Sequence, residues 1–203
     1  MKITSLNGQC ERFCNLVKTG QFTGREDLSF TQDRANKEIL ENLHKVKEQD
    51  GCVFIVGNGG SASIASHICT DFINVGSIRS TVLHESCSVT CFANDYGYEN
   101  VFSMQLHKIA KPKDMLIAIS SSGQSQNIVN AAMVMRGVGG KIVTLSGFSA
   151  QNPLRQLGDV NYWVNSSDYG MVEIAHMFLL HHLSDQIAAG RMALHDKVLV
   201  SSV

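Results

Sequence analysis

Met115-Leu116-Ile117-Ala118-Ile119, followed directly by Ser120-Ser121-Ser122-Gly123-Gln124-Ser125, is the stretch that decides the fold. An apolar run without alternation reads as a strand buried on both faces, which is the habit of parallel sheets. The serine- and glycine-rich turn ends it. A helix from about Gln126 to Arg136 follows, stopped by Gly139-Gly140. The same grammar appears upstream. Thr31–Gln49 is an amphipathic helix with Ala35, Ile39, Leu40, Leu43 and Val46 near one face, ended by Asp50-Gly51. A strand over Cys52–Val56 then enters the turn Gly57-Asn58-Gly59-Gly60-Ser61, where Ser61 is placed to cap a helix over Ala62–Ile73.

The remaining pattern continues the alternation. Thr81–Leu83 reads as a short strand, with helices at Ser86–Ala93 and Glu99–Ala110. Lys141–Leu145 and Val160–Val164 read as strands, and a long helix covers about Tyr169–Ala189. Strands alternating with helices predict an α/β three-layer sandwich around a central parallel sheet, with right-handed crossovers. Such sheets bind ligands beyond the C-terminal strand ends, near a topological switch point. Both glycine- and serine-rich turns follow strands and lie at that edge.

With 203 residues, the chain suits one domain with a helical appendage. Lys plus Arg number 17 and Asp plus Glu 18, a balance that disfavours a nucleic-acid-coating surface. No apolar run reaches the length of a membrane helix, and Met1–Thr23 lacks a secretory signal pattern, so the expected compartment is the cytoplasm. Cys10/Cys14 and Cys87/Cys91 are each four residues apart, and Cys52 and Cys69 stand alone. Without a zinc array, all six are expected to be small buried hydrophobes. In the last helix Met171, Val172, Ile174, Met177, Phe178, Leu179, Leu180, Leu183 and Ile187 cover nearly the whole circumference. A helix apolar all round should be buried all round, so an oligomer with helices in its interface is expected.

The hydroxyls of Ser120, Ser121, Ser122 and Ser125, with the free N–H groups of a helix N-terminus, form a cradle for a phosphate dianion. No lysine follows, so this is not a nucleoside-triphosphate loop. No G-x-G-x-x-G with a downstream acid is present, which argues against a nucleotide cofactor. A small monophosphate fits best. A serine cluster alone reads equally as a capped loop. Two such loops on successive crossover units strengthen the ligand reading.

Gly57-Asn58-Gly59-Gly60-Ser61-Ala62, Ala93-Asn94-Asp95-Tyr96-Gly97-Tyr98 and Ile119-Ser120-Ser121-Ser122-Gly123-Gln124-Ser125, in that order and spacing, resemble the phosphoheptose isomerases of the sugar isomerase (SIS) family. The likeness runs from about residue 32 to residue 190. The first 30 residues match nothing familiar, and the expected division is an uncertain helical segment over 1–30 and the SIS domain over 31–203. The resemblance implies a flavodoxin-like sheet of five parallel strands with extra N- and C-terminal helices. It implies conversion of sedoheptulose 7-phosphate to D-glycero-D-manno-heptose 7-phosphate for lipopolysaccharide or capsule. It also implies a homotetramer with sites between subunits, often holding zinc. By the same resemblance, Ser120, Ser121, Ser122 and Ser125 hold the phosphate, and Asn58, Gly59, Gly60, Ser61, Asn94 and Asp95 contact the sugar.

An isomerisation through an enediol needs a base for the carbon-bound proton and an acid or metal at the carbonyl. His67 and Asp71 share one helix face. The family carries histidine and glutamate there, so Asp71 is one methylene short. The family glutamine and histidine of the last helix align with Glu173 and His181, and its arginine with Met171. The resemblance therefore yields a metal set of His67, Asp71, Glu173 and His181, with Asp71 and His181 as the acid–base pair and Glu173 also facing substrate. On a straight helix, residues 173 and 181 are separated by about 12 Å of rise, so sharing one metal needs inward-reaching side chains, a bend or different subunits. His176 and His182 are rivals read as structural. His84 and Glu85 follow a strand without an assigned role. Two other readings stand beside the enzyme: a non-catalytic SIS protein of the replication-initiator-associating type, and an amidosugar isomerase domain, which the His67/His181 pair disfavours.

Overall fold

A computed structural model describes residues 5–201. Its elements are α1 (Leu6–Lys18), β1 (Gln21–Thr23), β2 (Ser29–Phe30), α2 (Gln32–Glu48), β3 (Val53–Val56), α3 (Gly60–Asn74) and β4 (Ser80–Val82). They continue with α4 (Ser86–Tyr96), α5 (Ser103–Ile109), β5 (Met115–Ser120), α6 (Gln126–Val138), β6 (Lys141–Ser146), β7 (Val160–Trp163) and α7 (Tyr169–Ser201).

The strand order is β2-β1-β7-β6-β5-β3-β4, with β4, β3, β5, β6 and β7 parallel. The five expected parallel strands are present, and β5 lies at their centre. Its side chains alternate between two cores. Met115, Ile117 and Ile119 face a core shared with α2, α3 and α7, while Leu116 and Ala118 face one shared with α5 and α6. Every residue of β3 and β5 is buried, which is why both read as unbroken apolar runs. The chain passes from β3 outward to β4 and then returns to β5 on the other side. The gap between the β3 and β5 loops is therefore the topological switch point.

Two further strands were not foreseen. β1 pairs antiparallel with β7, and β2 with β1. Strands of three and two residues are too short to show periodicity, and tertiary contacts stabilise them. The Phe22 ring stacks on Tyr162 with centroids 4.7 Å apart. Arg25 pairs with Asp159 at 2.8 Å. Buried Asn161 donates to the Thr23 carbonyl (3.2 Å) and accepts from Thr144 Oγ1 (2.7 Å) and Gly158 N (2.8 Å).

Helix boundaries follow local chemistry. Thr31 caps α2 by accepting from Arg34 N, and Asp50, at φ 52°, turns the chain out of it. Gly139, at φ 87°, ends α6. Ser61 is not a cap: α3 begins two residues earlier than expected, at Gly60 with Gly59 (φ 53°) in the cap position, and Ser61 is buried in its first turn. The segment read as one helix over Glu99–Ala110 is a 3-10 turn, Tyr98–Asn100, followed by α5. The cysteines also depart from expectation. Cys69 alone is buried; Cys52 is half-buried, and Cys10, Cys14, Cys87 and Cys91 are exposed because their faces of α1 and α4 point away from both cores.

α7 is not covered on all sides. Val172, Ala175, His176, Leu180 and Leu183 are buried, whereas Ile174 and Phe178 are 56% and 53% exposed. His176 is structural: its ring lies wholly inside, with Nε2 3.2 Å from the Ser146 carbonyl. Burial pushes its pKa down to about 4 from 6.5, against the smaller opposing effect of that backbone contact.

Two measurements check this account. Asn161→Ala strands the Thr144 hydroxyl and the Gly158 N–H, so urea unfolding is expected to show a loss of about 2–4 kcal/mol; a loss under about 0.5 kcal/mol would contradict it. His176 is neutral in the fold but takes a proton in the unfolded chain below about pH 6.5. Its contribution is intact above pH 6.5 and declines as pH falls towards about 4, by up to about 3 kcal/mol. His176→Gln should flatten stability across that window, and an unchanged slope would refute the assignment.

Candidate active site

Two loops and the start of one helix enclose a cleft of about 300 Å3 at the switch point. It is lined by the β3 loop (Asn58–Ser61), the β5 loop (Ile119–Ser122 with Ser125), and Tyr169 and Glu173 of α7. In the β5 loop, Gly123 takes φ 66° and its N–H returns to the Ser120 carbonyl (2.9 Å), closing a tight turn. A β-carbon at Gly123 would overlap the Asn152 side chain. Asn152 fixes the neighbouring β6 loop, donating to Ser146 Oγ (3.1 Å) and the Ser149 carbonyl (2.8 Å). The hydroxyls lie inward: Ser120 donates to Ser125 Oγ (3.2 Å), and Ser122 Oγ accepts from Gln124 N (3.2 Å). Ser125 stands at the N-cap of α6 but spends no side-chain bond on capping, so no side chain of the cap competes for the first-turn N–H groups.

The β3 loop is clamped to this cradle. Asn58 and Asn127 exchange two side-chain hydrogen bonds of 2.9 Å each, and Tyr98 Oη donates to Asn58 Oδ1 (3.2 Å). Asn58 therefore ties the two loops together as well as lining the cleft. Asn127, Tyr98, Asn152 and Tyr169 were missed from sequence. An asparagine in the first turn after a serine loop was the one available signal, and it leads only to Asn127.

The second group of side chains lies along α3 and α7. The ligand atoms of His67, Asp71 and His181 fall within 4.8 Å of one another. Asp71 Oδ2 is 3.5 Å from His67 Nε2 and 3.6 Å from His181 Nδ1, with the aspartate more enclosed than either imidazole. Two imidazole nitrogens and one carboxylate at this spacing match the donor set of a divalent first-row metal, with positions left open.

Glu173 does not join them. Its carboxylate lies in the cleft against Gly60, where an added β-carbon would overlap it. The physical reason is the helical rise: eight residues of α7 carry His181 about 12 Å beyond Glu173. Asn94 and Asp95 are also outside the cleft, exposed on α4 and hydrogen-bonded to each other (2.9 Å). Met171, in the first turn of α7, is half-buried against the core.

The remaining candidates have ordinary occupations. His84 Nε2 contacts Ser66 Oγ at 2.8 Å, and burial lowers its pKa. Glu85 caps α4, and backbone N–H bonds from Cys87 and Ser88 hold its carboxyl below the usual range. His182 is exposed and bonded to Gln186 (2.7 Å).

Comparison with known proteins agrees with this architecture. The SIS domain family model matches residues 25–147. The phosphoheptose isomerase of Helicobacter pylori strain P12 is 32% identical over 182 residues, covering 85% of this chain and 94% of the relative. That of Aliarcobacter butzleri is 31% identical over 162 residues, covering 77% and 83%. Among solved structures, the phosphoheptose isomerase of Francisella tularensis superposes with TM-score 0.77 at 23% identity, covering 91% of this chain and 98% of that one. The enzyme of Neisseria gonorrhoeae gives 0.76 at 23% identity, covering 89% and 94%. A serine-lined cleft at the switch point, a His/Asp/His cluster on the adjoining helices and these likenesses place the chain in the phosphoheptose isomerase family of SIS-domain proteins.

Proposed function

We propose that the chain is an aldose–ketose isomerase interconverting sedoheptulose 7-phosphate and D-glycero-D-manno-heptose 7-phosphate. The observation that carries this reading is the spacing of the two stations. The serine cradle lies at one end of the α3/α7 pair, and His67, Asp71 and His181 lie about two helical turns along it. Gly60 to His67 is seven residues, about 10 Å of rise, and Glu173 to His181 is about 12 Å. An extended seven-carbon sugar phosphate spans about 10 Å from phosphorus to C1, taking about eight bonds near 1.5 Å in zigzag. Phosphate in the cradle would then set C1 and C2 beside the cluster.

Each residue takes a role from its position. Ser120, Ser121, Ser122 and Ser125, with the N-terminus of α6, bind the phosphate. Ser61 and the backbone of Gly59 and Gly60 wall the chain. At the cluster, Asp71 or His181 takes the proton from C1 of the ketose. The released electron pair makes the enediol double bond, and the carbonyl oxygen gains a proton from the other group. Return of a proton to C2, with loss of the one on the C1 oxygen, completes the aldose. Asp71 is held between two imidazoles, which compensates for its short side chain by fixing where the carboxylate points. His67, Asp71 and His181 would also hold zinc or a similar ion, which would supply Lewis-acid polarisation of the carbonyl.

The reading includes a homotetramer, which would cover the exposed Ile174 and Phe178. Action in the cytoplasm and supply of heptose for lipopolysaccharide rest on the family resemblance.

Purified protein incubated with sedoheptulose 7-phosphate is expected to yield aldose by NMR. Ser122→Ala should raise KM about tenfold, the worth of one charge-assisted hydrogen bond. His181→Ala should cut kcat by at least about 100-fold. Absence of turnover in the wild type would refute the enzyme. Metal analysis is a separate check: His67→Ala should strip a bound first-row metal, and a metal-free, fully active wild type would remove the ion from the account.

A further inference from the structure

A second cavity, of about 290 Å3, shares no residue with the serine-lined cleft. It opens between α1, the N-terminal hairpin, α2 and α7, and admits a ligand of about ten non-hydrogen atoms. Its floor is aromatic. Phe22 and Tyr162 stack there at 4.7 Å, both almost fully buried. Phe178 closes one side, held edge-on by Phe13 with centroids 5.9 Å apart.

One polar group in this floor lacks a partner. The Tyr162 side chain is 2% exposed, yet its hydroxyl makes no hydrogen bond with the described residues. A buried hydroxyl in this state costs free energy that a ligand can recover. The wall beside it is rich in acceptors. Gln32 spends its amide N–H groups on the Val17 and Lys18 carbonyls (3.4 and 3.1 Å), and Asn36 donates to Gln186 (3.0 Å). Asn36 Oδ1 is enclosed without a donor, so its negative potential stays unneutralised. Asp33, one turn before Asn36, adds a carboxylate with no ion pair among the described residues. No lysine or arginine lines the cavity, and His182 is engaged, its Nε2 accepting from Gln186 (2.7 Å).

We propose that this cavity is a second ligand site, which takes a small organic ammonium ion with its apolar body among the rings and its charge towards Asp33, Asn36 and the Tyr162 hydroxyl. Aromatic faces attract an ammonium group through the ring quadrupole. Asp33 supplies the opposite charge, and the acceptors of the wall suit the three N–H donors of a primary amine. An anion would instead meet a carboxylate and an enclosed carbonyl oxygen, with one hydroxyl to receive it. The site is separate from the phosphosugar chemistry and does not rest on the isomerase reading.

Cyclohexylamine, cyclohexanol and cyclohexanecarboxylate share one apolar body and differ in the charge of the head group. Each is titrated into the isotope-labelled full chain and followed by NMR chemical shifts. Cyclohexylamine is expected to bind with Kd of about 1 mM and to shift resonances of Phe22, Asn36 and Leu179. Cyclohexanol should bind about fivefold more weakly, and the carboxylate without saturation. Asp33→Asn should weaken the amine about threefold and leave the alcohol unchanged. Tyr162→Phe should also weaken the amine about threefold, with Tm within about 3 °C of wild type because the hydroxyl has no partner in the fold to lose. A larger fall in Tm would mean that the hydroxyl is already bonded, and would overturn the proposal. Equal affinity for amine and alcohol, shifts confined to other elements, or no saturable binding, as when a neighbouring subunit fills the cavity, would overturn it too.

Discussion

At Gly60, with no side chain in the way, the Glu173 carboxylate of α7 lies against the first turn of α3. A β-carbon there would displace that carboxylate, so the glycine leaves the carboxylate its place in the cleft. The two helices run side by side in the same direction. His67 and Asp71 then meet His181 two turns further on. A shift of one residue in either helix would turn one partner away by about 100°. The geometry of the His/Asp/His cluster therefore depends on how α3 and α7 are packed along their whole length.

The sheet supplies the fixed base for that register. β3 and β5 are hydrogen-bonded neighbours buried on both faces, so their C-terminal ends cannot move independently. The loops leaving them are clamped by the Asn58–Asn127 pair and underpinned by Asn152. The proposed phosphate site, made of hydroxyls and amide donors, needs such rigidity because each hydrogen bond is individually modest. The N-terminal hairpin contributes at a distance. It extends the sheet beyond β7, and Arg12 of α1 pairs with Asp168 (3.3 Å), whose Oδ1 accepts from Met171 N (3.4 Å) at the start of α7.

The parallel core was legible because burial on both faces leaves an unmistakable mark: Val53–Val56 and Met115–Ser120 are apolar almost without interruption. The glycine and serine turns were legible because close backbone approach restricts residue choice. β1 and β2 were not, since five residues carry no period and their pairing depends on Asn161, Asp159 and Tyr162, more than 130 positions away. Exposed cysteines on α1 and α4 were misread because composition does not show which helix face is outward. In the site, spacing along one helix brought His67 and Asp71 together and tied in His181 by resemblance, but a list of ligand types could not separate Glu173 from them. Only the rise between residues 173 and 181, set against the position of Gly60, puts Glu173 in the serine-lined cleft.

The central claim is that cradle and cluster form a ruler along one helix pair. It is tested most directly by kcat/KM for ketose phosphates of five, six and seven carbons with the phosphate on the last carbon. Each carbon removed shortens the reach by about 1.3 Å. Proton transfer tolerates misplacement of this size poorly. The account predicts a steep rise with length, the seven-carbon substrate exceeding the five-carbon one by at least about 100-fold. Equal values, or a preference for the shorter chain, would contradict it.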